Sequence, residues 1–260
     1  MKVGIINVTG YAGAEVARIL SRHEEVEITC VTGRSGAGKN LGDIFPHLSN
    51  LDMEISPDLD KSVDFVFSAL PHAASAEALK EAVSSGIKGV DISADFRIRD
   101  LNTYSEWYDV EHPCPELMES SVYGLPELHR SEIKHCQIAA NPGCYPTSIQ
   151  LPLVPLLSDN IITAEDIIID AKSGVSGAVR TVKEANLFSE VGEGFRAYGI
   201  ANHRHLPEIE QGLSAAAGQP VTVSFTPHLV PVNRGILATI YVRTTSNNSF
   251  SDIRDSLNTR

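Results

Sequence analysis

The first half of the chain alternates short apolar runs with segments of helical spacing. The runs have the length of buried strands and cover residues 2–8, 26–32, 63–70 and 89–93. Between the first two lies 14–22, where Val16, Ile19 and Leu20 share one helical face. Strands that alternate with helices are typical of a parallel sheet with right-handed crossovers. The pattern therefore predicts an α/β domain over residues 1–143, a Rossmann-type doubly wound parallel sheet.

The pattern changes after residue 143, where longer strand-like runs have fewer helices between them. The runs cover residues 167–171, 221–227 and 235–244, and the last alternates apolar and polar positions. A second domain of the α+β type with a mixed or antiparallel sheet is therefore expected over 144–260. Pro152 and Pro155 interrupt the apolar run that opens this domain and predict a kink or a short helix.

A glycine turn joins the first strand to the first helix. The run Thr9-Gly10-Tyr11-Ala12-Gly13 stands between them, which is the context that a dinucleotide site requires. Gly10 and Gly13 let the backbone approach a pyrophosphate and let the helix pack on the sheet, while the helix N-terminus meets the negative charge. Asn7 occupies the place of the usual first glycine, and asparagine tolerates left-handed backbone angles.

The second strand indicates which nucleotide is bound. A site for NAD usually carries Asp or Glu about 20 residues past the glycines. Here the strand is followed by Arg34, Ser35 and Gly36. A guanidinium and a hydroxyl suit a 2′-phosphate, so NADP(H) is predicted as the cofactor, with a solvated loop arginine as the alternative. Ser68 and Pro71, at the end of the next strand, complete the expected nucleotide site.

The run Asn141-Pro142-Gly143-Cys144-Tyr145-Pro146-Thr147 holds the candidate nucleophile. It lies between a strand-like run, 135–140, and an apolar helical run, 149–157, with Thr147 or Ser148 as the possible N-cap. A Pro-Gly turn can expose Cys144, and a helix N-terminus favours the thiolate over the thiol. The alternative is a small buried hydrophobic residue, which is what most free cysteines are.

Two histidines flank Arg204 just before a helix start of the Pro-Glu type. Either His203 or His205 can pair with a thiolate and act as a general acid, and the alternative is that each is only hydrogen-bonded in a loop. A zinc site needs further ligands, and none has an obvious spacing, so no metal is predicted.

Composition narrows the classes of protein. A chain of 260 residues with 42% hydrophobic residues has room for one large domain or two ordinary ones, and its net charge of −12 argues against a nucleic-acid surface. Its apolar runs are far shorter than the roughly 20 residues of a membrane span. The N-terminus lacks a signal-peptide pattern, and the four cysteines show no C-x-x-C pairing. We therefore expect a cytoplasmic protein with free thiols, without membrane or nucleic-acid partners.

Motifs along the whole chain resemble those of the N-acetyl-γ-glutamyl-phosphate reductase family, in the aspartate-semialdehyde dehydrogenase-like superfamily. Besides the glycine and cysteine motifs, they are Ala37-Gly38-Lys39, Phe45-Pro46-His47-Leu48, Ser93-Ala94-Asp95-Phe96-Arg97, Tyr123-Gly124-Leu125-Pro126-Glu127, His203-Arg204-His205-Leu206-Pro207-Glu208-Ile209 and Pro231-Val232-Asn233-Arg234-Gly235. The resemblance implies NADPH-dependent reduction of N-acetyl-L-glutamyl 5-phosphate to N-acetyl-L-glutamate 5-semialdehyde, with phosphate release, in arginine biosynthesis. It implies a thioester on Cys144, with His205 as the acid/base and His203 as the second choice.

The resemblance also suggests where the ligands lie. The substrate-binding candidates are Arg97, Lys172, Arg180 and Glu208, with structural ion pairs as the alternative for the cations. Ser173 and Gly174 are expected to contact the cofactor, and their turn with Lys172 is a further candidate for the substrate phosphate. Residues 144–260 would form a catalytic and dimerisation domain in a homodimer or homotetramer.

Two departures from the family leave alternatives open. Asn7 stands where family members usually carry glycine, and the chain stops at Arg260 while the family continues for tens of residues, so the second domain is expected to be incomplete. One alternative is a reductase of carrier-protein-bound aminoadipyl phosphate in lysine biosynthesis. A second is aspartate-semialdehyde dehydrogenase, although its nucleophile motif resembles Asn-Cys rather than Pro-Gly-Cys-Tyr. A third, of another class, is a non-catalytic NADP-binding protein.

Overall fold

Residues Met1–Pro142 and Gly143–Arg260 fold as two separate units. The structure is a computed structural model that describes residues 1–178, 180–245 and 248–258. Each unit has its own sheet and its own apolar core, and each is described in turn.

The first unit is built on a six-stranded parallel sheet in the order β2-β1-β3-β4-β6-β5. Its strands are β1 (Lys2–Ile6), β2 (Glu27–Val31), β3 (Phe65–Ser68), β4 (Lys88–Asp91), β5 (Ser121–Tyr123) and β6 (Ile138–Ala140). Its helices are α1 (Tyr11–Leu20), α2 (Leu41–Ile44), α3 (Ala74–Ser84), α4 (Leu101–Tyr108) and α5 (Pro126–Ile133). The predicted doubly wound parallel sheet is confirmed.

The strands of this sheet are mostly apolar because both faces are covered. Val3 and Ile5 of β1 pack with Ala17 of α1 in one cluster of buried residues. Val66 of β3 packs with Leu79 of α3 in another. Strands buried on both faces have continuous apolar sequences rather than alternating ones, which explains the pattern seen in this half of the chain.

The second unit contains a four-stranded mixed sheet in the order β10-β7-β9-β8. Its strands are β7 (Ile167–Ser173), β8 (Arg196–Ala197), β9 (Val223–Leu229) and β10 (Ile236–Tyr241), of which β7 and β9 are parallel and the other pairs antiparallel. Its helices are α6 (Cys144–Ser158), α7 (Phe188–Val191), α8 (Leu206–Ala217) and α9 (Phe250–Asn258). The predicted mixed sheet is confirmed.

Helix α6 corrects two expectations about its sequence. It begins at Cys144 with Gly143 as the N-cap, so the predicted caps, Thr147 and Ser148, already lie inside it. It also continues through Pro152 and Pro155 for 15 residues, so the short helix was wrong. An internal proline costs a helix about 3 kcal/mol, but this helix lies in the apolar core of the second unit, and tertiary packing supplies most helical stability in proteins.

Strand β7 has two different faces. Ile167, Ile169, Ala171 and Ser173 are buried, while the residues between them are half-buried or exposed. Side chains alternate across a strand, so Ile168, Asp170 and Lys172 lie on the opposite, open face of the sheet.

Within the described ranges, no helix is both long and apolar enough to cross a membrane.

Candidate active site

Cys144 is the first residue of helix α6, and its side chain is exposed. Gly143 before it is extended, with φ −62° and ψ 154°, and no side chain caps the helix. The Thr147 hydroxyl, inside α6, donates to the Gly143 carbonyl at 2.9 Å and so holds the turn in place. The thiol therefore lies at the positive end of a helix dipole, where a thiolate is favoured.

The other three cysteines have a different environment. Cys30 and Cys114 are buried and Cys136 is half-buried. Burial raises the pKa of each of these thiols above its ordinary value, because desolvation disfavours the charged form. Of the four, Cys144 alone has the exposure that a nucleophile requires.

The imidazole of His205 packs directly against Gly143. A Cβ atom at position 143 would lie 2.6 Å from His205 Nε2, closer than any side chain tolerates. Gly143 has ordinary backbone angles, so the requirement for glycine here is steric rather than conformational. The missing side chain thus leaves the space in which His205 lies beside the turn that carries Cys144.

Glu208 joins the start of helix α8 to the start of helix α6. Its Oε1 accepts a hydrogen bond from the Gly143 N–H at 2.9 Å, and its side chain is 1% exposed. Gln150 Nε2 of α6 donates to the Glu208 carbonyl at 3.1 Å. Because His205 and Glu208 are three residues apart at the start of α8, they lie on one side of it. Glu208 therefore holds the cysteine turn from its buried side. It is not among the residues that line the cavity described below.

His203 lies inside an aromatic cage. Its ring centroid is 5.3 Å from that of Tyr145 and 5.5 Å from those of Tyr198 and Phe225. Its Nδ1 accepts from the backbone N–H of His205 at 3.1 Å. Burial lowers the pKa of His203 to about 4, so the ring is neutral near pH 7. His203 is thus suited to orienting His205, whose ring centroid is 4.8 Å away.

An open cavity of about 560 Å³ borders the cysteine and both histidines, which is within the usual range for a small-molecule site. Tyr145 and Tyr198 form part of its wall, and their hydroxyl groups are 3.1 Å apart. Sequence reasoning missed several other lining residues, notably Lys183, Asn186, Arg196, Asn202 and Arg204. The available signal was the alternation of Arg196 and Tyr198 just before the histidine pair.

Lys172 is directed away from this cavity. Ser173, the next residue of β7, lines the cavity, so Lys172 lies on the open face of the sheet. There its Nζ is 2.6 Å from Asp170 Oδ2, and the other oxygen of Asp170 is 3.1 Å from His228 Nδ1. The structure therefore does not bring Lys172 together with Cys144, because one residue of strand register separates the two faces.

The two predicted substrate arginines, Arg97 and Arg180, are not among the described residues that line this cavity. Arg97 belongs to the first unit and is 7% exposed; its Nε donates to the Asn141 carbonyl at 2.7 Å and its Nη2 to the Ile92 carbonyl at 2.8 Å. These bonds fix the chain just before the cysteine turn. Arg180 is exposed and is not among the residues that line the cavity. A substrate contact for either arginine stays a prediction.

The glycine turn of the first unit has the features of a phosphate site. Helix α1 starts after Gly10 without a side-chain cap, and in the described ranges no acceptor takes the backbone N–H groups of Tyr11, Ala12 or Gly13. A Cβ on Gly13 would lie 2.4 Å from the Asn7 carbonyl oxygen, so the helix packs closely on the strand end. Free N–H groups at the positive end of a helix fit the pyrophosphate of a dinucleotide.

Asn7 replaces the usual glycine without distorting this turn. Its φ is +64°, a left-handed value that asparagine tolerates, as predicted. Its Nδ2 donates to the Ala69 carbonyl at 2.8 Å, which ties the end of β1 to the end of β3. The amide side chain therefore adds a cross-strand tether that glycine lacks.

The remaining predicted cofactor residues divide into two groups. Arg34, Ser35 and Pro71 are exposed, and Thr9 is buried against Gly33 and Gly36, where it supports the turn after β2. The other group consists of side chains that are already engaged. The Ser68 hydroxyl is buried and accepts from Ser75 at 2.7 Å, and Ser173 donates to the Gly174 carbonyl at 3.0 Å.

No group of three metal-ligating side chains occurs in the described part of the chain.

A Rossmann-type unit and a mixed-sheet unit with a cysteine at a helix N-terminus define a class of dehydrogenase. Residues 2–136 match the family model for the semialdehyde dehydrogenase NAD binding domain, and residues 144–260 match the semialdehyde dehydrogenase dimerisation domain. The chain belongs to the semialdehyde dehydrogenase family.

Among its relatives are proteins named N-acetyl-gamma-glutamyl-phosphate reductase. One from Pelotomaculum thermopropionicum is 49% identical over 98% of this chain and 75% of its own length. One from Dehalococcoides mccartyi is 52% identical over 93% of this chain and 71% of its own length. A probable chloroplastic form from Arabidopsis thaliana is 50% identical over 100% of this chain and 65% of its own length.

Solved structures show the same fold at low identity. Aspartate semialdehyde dehydrogenase II from Vibrio cholerae has a TM-score of 0.70 at 16% identity, over 98% of this chain and 78% of that chain. Aspartate semialdehyde dehydrogenase from Candida albicans, solved with NADP, has a TM-score of 0.67 at 18% identity, over 100% of this chain and 76% of that chain.

Proposed function

We propose that this chain is an NADPH-dependent N-acetyl-γ-glutamyl-phosphate reductase of arginine biosynthesis. It converts N-acetyl-L-glutamyl 5-phosphate into N-acetyl-L-glutamate 5-semialdehyde and releases phosphate. The observation that carries the proposal is the exposed Cys144 at the start of α6, with the His205 ring against the preceding glycine. The identity of about half to reductases of this name favours that substrate over carrier-bound aminoadipyl phosphate.

In the first step, the Cys144 thiolate attacks the carbonyl carbon of the acyl phosphate. The carbon–sulfur bond forms, the carbon–oxygen bond to phosphate breaks, and phosphate leaves with the electron pair. The product is a thioester, which accepts hydride much more readily than a carboxylate would. Covalent catalysis of this kind divides one difficult step into two easier ones.

In the second step, the thioester carbon accepts the hydride that NADPH supplies when bound. His205 donates a proton to the oxygen that gains negative charge, and the product on the cysteine is a thiohemiacetal. When that hydroxyl returns its proton to His205, the carbon–sulfur bond breaks and the aldehyde leaves. His205 suits this role better than His203, because a pKa of about 4 keeps His203 neutral and unable to donate near pH 7.

The first unit offers groups that fit each phosphate of NADP. The open N–H groups of Tyr11, Ala12 and Gly13 would hold the pyrophosphate. Arg34 and Ser35 follow β2 and are exposed, so they would hold the 2′-phosphate. A guanidinium forms bidentate bonds to phosphate, and this supports NADP over NAD.

The open face of the second sheet supports a homodimer. Ile168, Leu237 and Tyr241 are 48%, 68% and 58% exposed. They share one face because Leu237 pairs with Lys172 and Tyr241 pairs with Ile168 in the ladder. Large apolar side chains exposed together are typical of an interface, and the second unit matches a dimerisation domain. Sedimentation analysis should give an even-numbered oligomer, a dimer or a tetramer, that the substitution Leu237→Glu dissociates. A monomeric unsubstituted protein would contradict the homodimer.

A reducing compartment such as the cytoplasm would suit the four free cysteines.

The direct test of the proposed function is Cys144→Ser. Phosphate-dependent oxidation of N-acetylglutamate semialdehyde by NADP should fall by about three orders of magnitude or more, because a serine hydroxyl is not ionised at this position. The matched control is Cys136→Ser, a half-buried cysteine that does not line the cavity. If the unsubstituted protein shows no turnover, it is not this reductase, and if Cys144→Ser keeps full activity, the thioester route is excluded.

A further inference from the structure

Strand β8 and the residues on either side of it separate two surfaces of the second unit. Arg196 and Tyr198 line the cavity beside Cys144. Alternate residues of a strand share a face, so Phe195 and Ala197 lie on the opposite side. Any change in the position of this strand therefore alters the cavity wall and the opposite surface together.

The side of β8 that faces away from the cavity belongs to the open face of the sheet. The Phe195 ring lies against the ring of His228 in β9, with 5.5 Å between the centroids. His228 Nδ1 is 3.1 Å from Asp170 Oδ1 of β7, on the face already described as open. Phe195 is 62% exposed, and Ala197 is exposed beside it. The open face of β10 and β7 thus continues across β9 to β8.

A second copy of this chain is the partner that the open face fits. The second unit matches a dimerisation domain. Asp170 and Lys172, 2.6 Å apart, place opposite charges side by side at the middle of the face. Under a two-fold axis the same patch meets itself, so a face that carries both signs complements its own copy. A face with a single sign of charge would repel its own copy instead.

Strand β8 has little support of its own. It consists of two residues at the edge of the sheet, and two residue pairs join it to β9. The Tyr198 N–H adds one bond to the Pro227 carbonyl, at 3.0 Å. Segments with few buried contacts open at a free energy well below that of global unfolding. Covering the exposed Phe195 ring would remove apolar area from water and so stabilise this strand on the sheet.

We propose that the second subunit of the homodimer packs on Phe195 and Ala197, holds β8 on β9, and thereby fixes the cavity wall formed by Arg196 and Tyr198. Substrate affinity is therefore coupled to dimerisation. The inference rests on the homodimer of the proposed function and goes beyond it, because it connects the interface with the cavity. Cys144 begins α6 and is not part of β8, so its reactivity is expected not to depend on the partner.

Hydrogen exchange tests the effect on β8 without a measurement of activity. Leu237 lies on β10, at the opposite edge of the sheet, so Leu237→Glu dissociates the dimer without altering β8. In the monomer the Tyr198 amide should exchange about tenfold faster or more, while the amide of buried Ile169 in β7 changes by less than about threefold. Ile19→Glu, at a 56% exposed position of α1, is the matched control and should change neither the oligomer nor these exchange rates.

Steady-state kinetics measures the consequence for the cavity, in the phosphate-dependent oxidation by NADP. The Leu237→Glu monomer should have a KM for N-acetylglutamate semialdehyde about tenfold higher or more. Its KM for NADP and its rate of Cys144 alkylation by iodoacetamide should stay within about threefold. The unsubstituted protein, diluted until sedimentation shows monomers, should show the same rise in KM. Dilution also decides the question if Leu237→Glu does not fold.

Three results separate failure of the coupling from failure of the proposed function. If the monomer matches the dimer in Tyr198 exchange and in KM for the aldehyde, the coupling is wrong, while the homodimer and the reductase stand. If the unsubstituted protein is monomeric at every concentration, the homodimer is wrong and the coupling with it. If neither form oxidises the aldehyde, the reductase is wrong, and hydrogen exchange alone decides whether the partner holds β8.

Discussion

Helices α1 and α6 begin in the same way and differ in what their first turn holds. Each has a glycine N-cap with extended backbone and no side-chain cap, Gly10 in one and Gly143 in the other. At α1 the first N–H groups stay open, which suits an anion brought by a ligand. The N-cap N–H is taken at both helices, by the Asn7 carbonyl at α1 and by Glu208 at α6. What differs is that at α6 the chain places its own ionisable side chain, Cys144, at the first helical position. The same dipole thus suits either the binding of a ligand's anion or the formation of a thiolate, depending on whether the first helical position carries an ionisable side chain.

The largest expected effect comes from adding one methyl group to each glycine. At Gly143 the new Cβ would displace His205, so Gly143→Ala should lower kcat about 100-fold, the usual result of misplacing a catalytic group by about 1 Å. At Gly10 a Cβ meets nothing closer than 3.8 Å, so Gly10→Ala should fold normally and raise KM for NADPH instead.

Steady-state kinetics with both substrates measures this separation. Gly143→Ala should leave KM for NADPH within about threefold, and Gly10→Ala should leave the rate of Cys144 alkylation unchanged. If the two variants changed KM for NADPH and the rate of Cys144 alkylation equally, the two helix starts would not differ in role as described.

The second prediction concerns stability against pH in the unit that holds the cysteine. His203 has a pKa of about 4 in the folded chain, below the ordinary value of 6.5, because it is buried. The unfolded chain therefore binds its proton first as the pH falls. This contribution to the free energy of unfolding is complete above pH 6.5 and is lost progressively toward pH 4, by at most about 3 kcal/mol.

His203→Asn should flatten this loss, since the asparagine oxygen can accept from the His205 N–H as Nδ1 does. Urea unfolding at several pH values between 4 and 7.5 measures it, with the same change at exposed His23 as the control. If the free energy of unfolding fell in parallel with pH in the unsubstituted and His203→Asn proteins, other groups would be responsible for the acid sensitivity.

The third prediction tests the first unit by its choice of nucleotide. Arg34→Gln should raise KM for NADPH by about 10- to 100-fold, because one charge-assisted contact to the 2′-phosphate is lost, and should leave KM for NADH nearly unchanged. Kinetics with the two nucleotides provides both the measurement and its internal control. An equal change with both would mean that Arg34 does not read the 2′-phosphate.

The smallest expected effect is at Asn7, where the first unit departs from the family's usual glycine. Asn7→Gly keeps the left-handed φ and loses the bond to Ala69, at a cost of about 1 kcal/mol in unfolding free energy. Asn7→Ala loses the same bond and also strains the backbone, so it should be less stable than the glycine variant by about 1 kcal/mol. Urea titration measures the difference, and equal stability of the two variants would contradict it.

Much of both helix starts could be predicted from local sequence. The strand, glycine turn and helix around Gly10 are consecutive in the chain, and so are Gly143, Cys144 and Thr147. Their geometry depends on residues within a few positions, through turn and capping preferences that a sequence displays directly. The N-cap of α6 was predicted four or five residues too late, because Ser and Thr are more common N-caps than the glycine that is found there.

Side-chain direction could not be predicted in the same way. Sequence analysis singled out Lys172 and not Arg196, although both are basic residues on strands and only Arg196 is among the described residues that line the cavity. Alternation shows that neighbours on a strand face opposite sides, but which side meets the cavity depends on the strands and helices that pack there. The register of β7 with β9 and β10 places Lys172 on the open face and leaves Ser173 at the cavity.

The sequence by itself therefore determined the strand and helix order of the first unit, the glycine turn before α1 and the place of Cys144 near a helix start, because each is encoded within short consecutive stretches. Only the tertiary structure decided that Glu208 holds Gly143 across 65 residues, that His203 lies in an aromatic cage, and that three cations surround the cavity. Those arrangements depend on contacts between distant segments, which packing and strand register select and local periodicity does not specify.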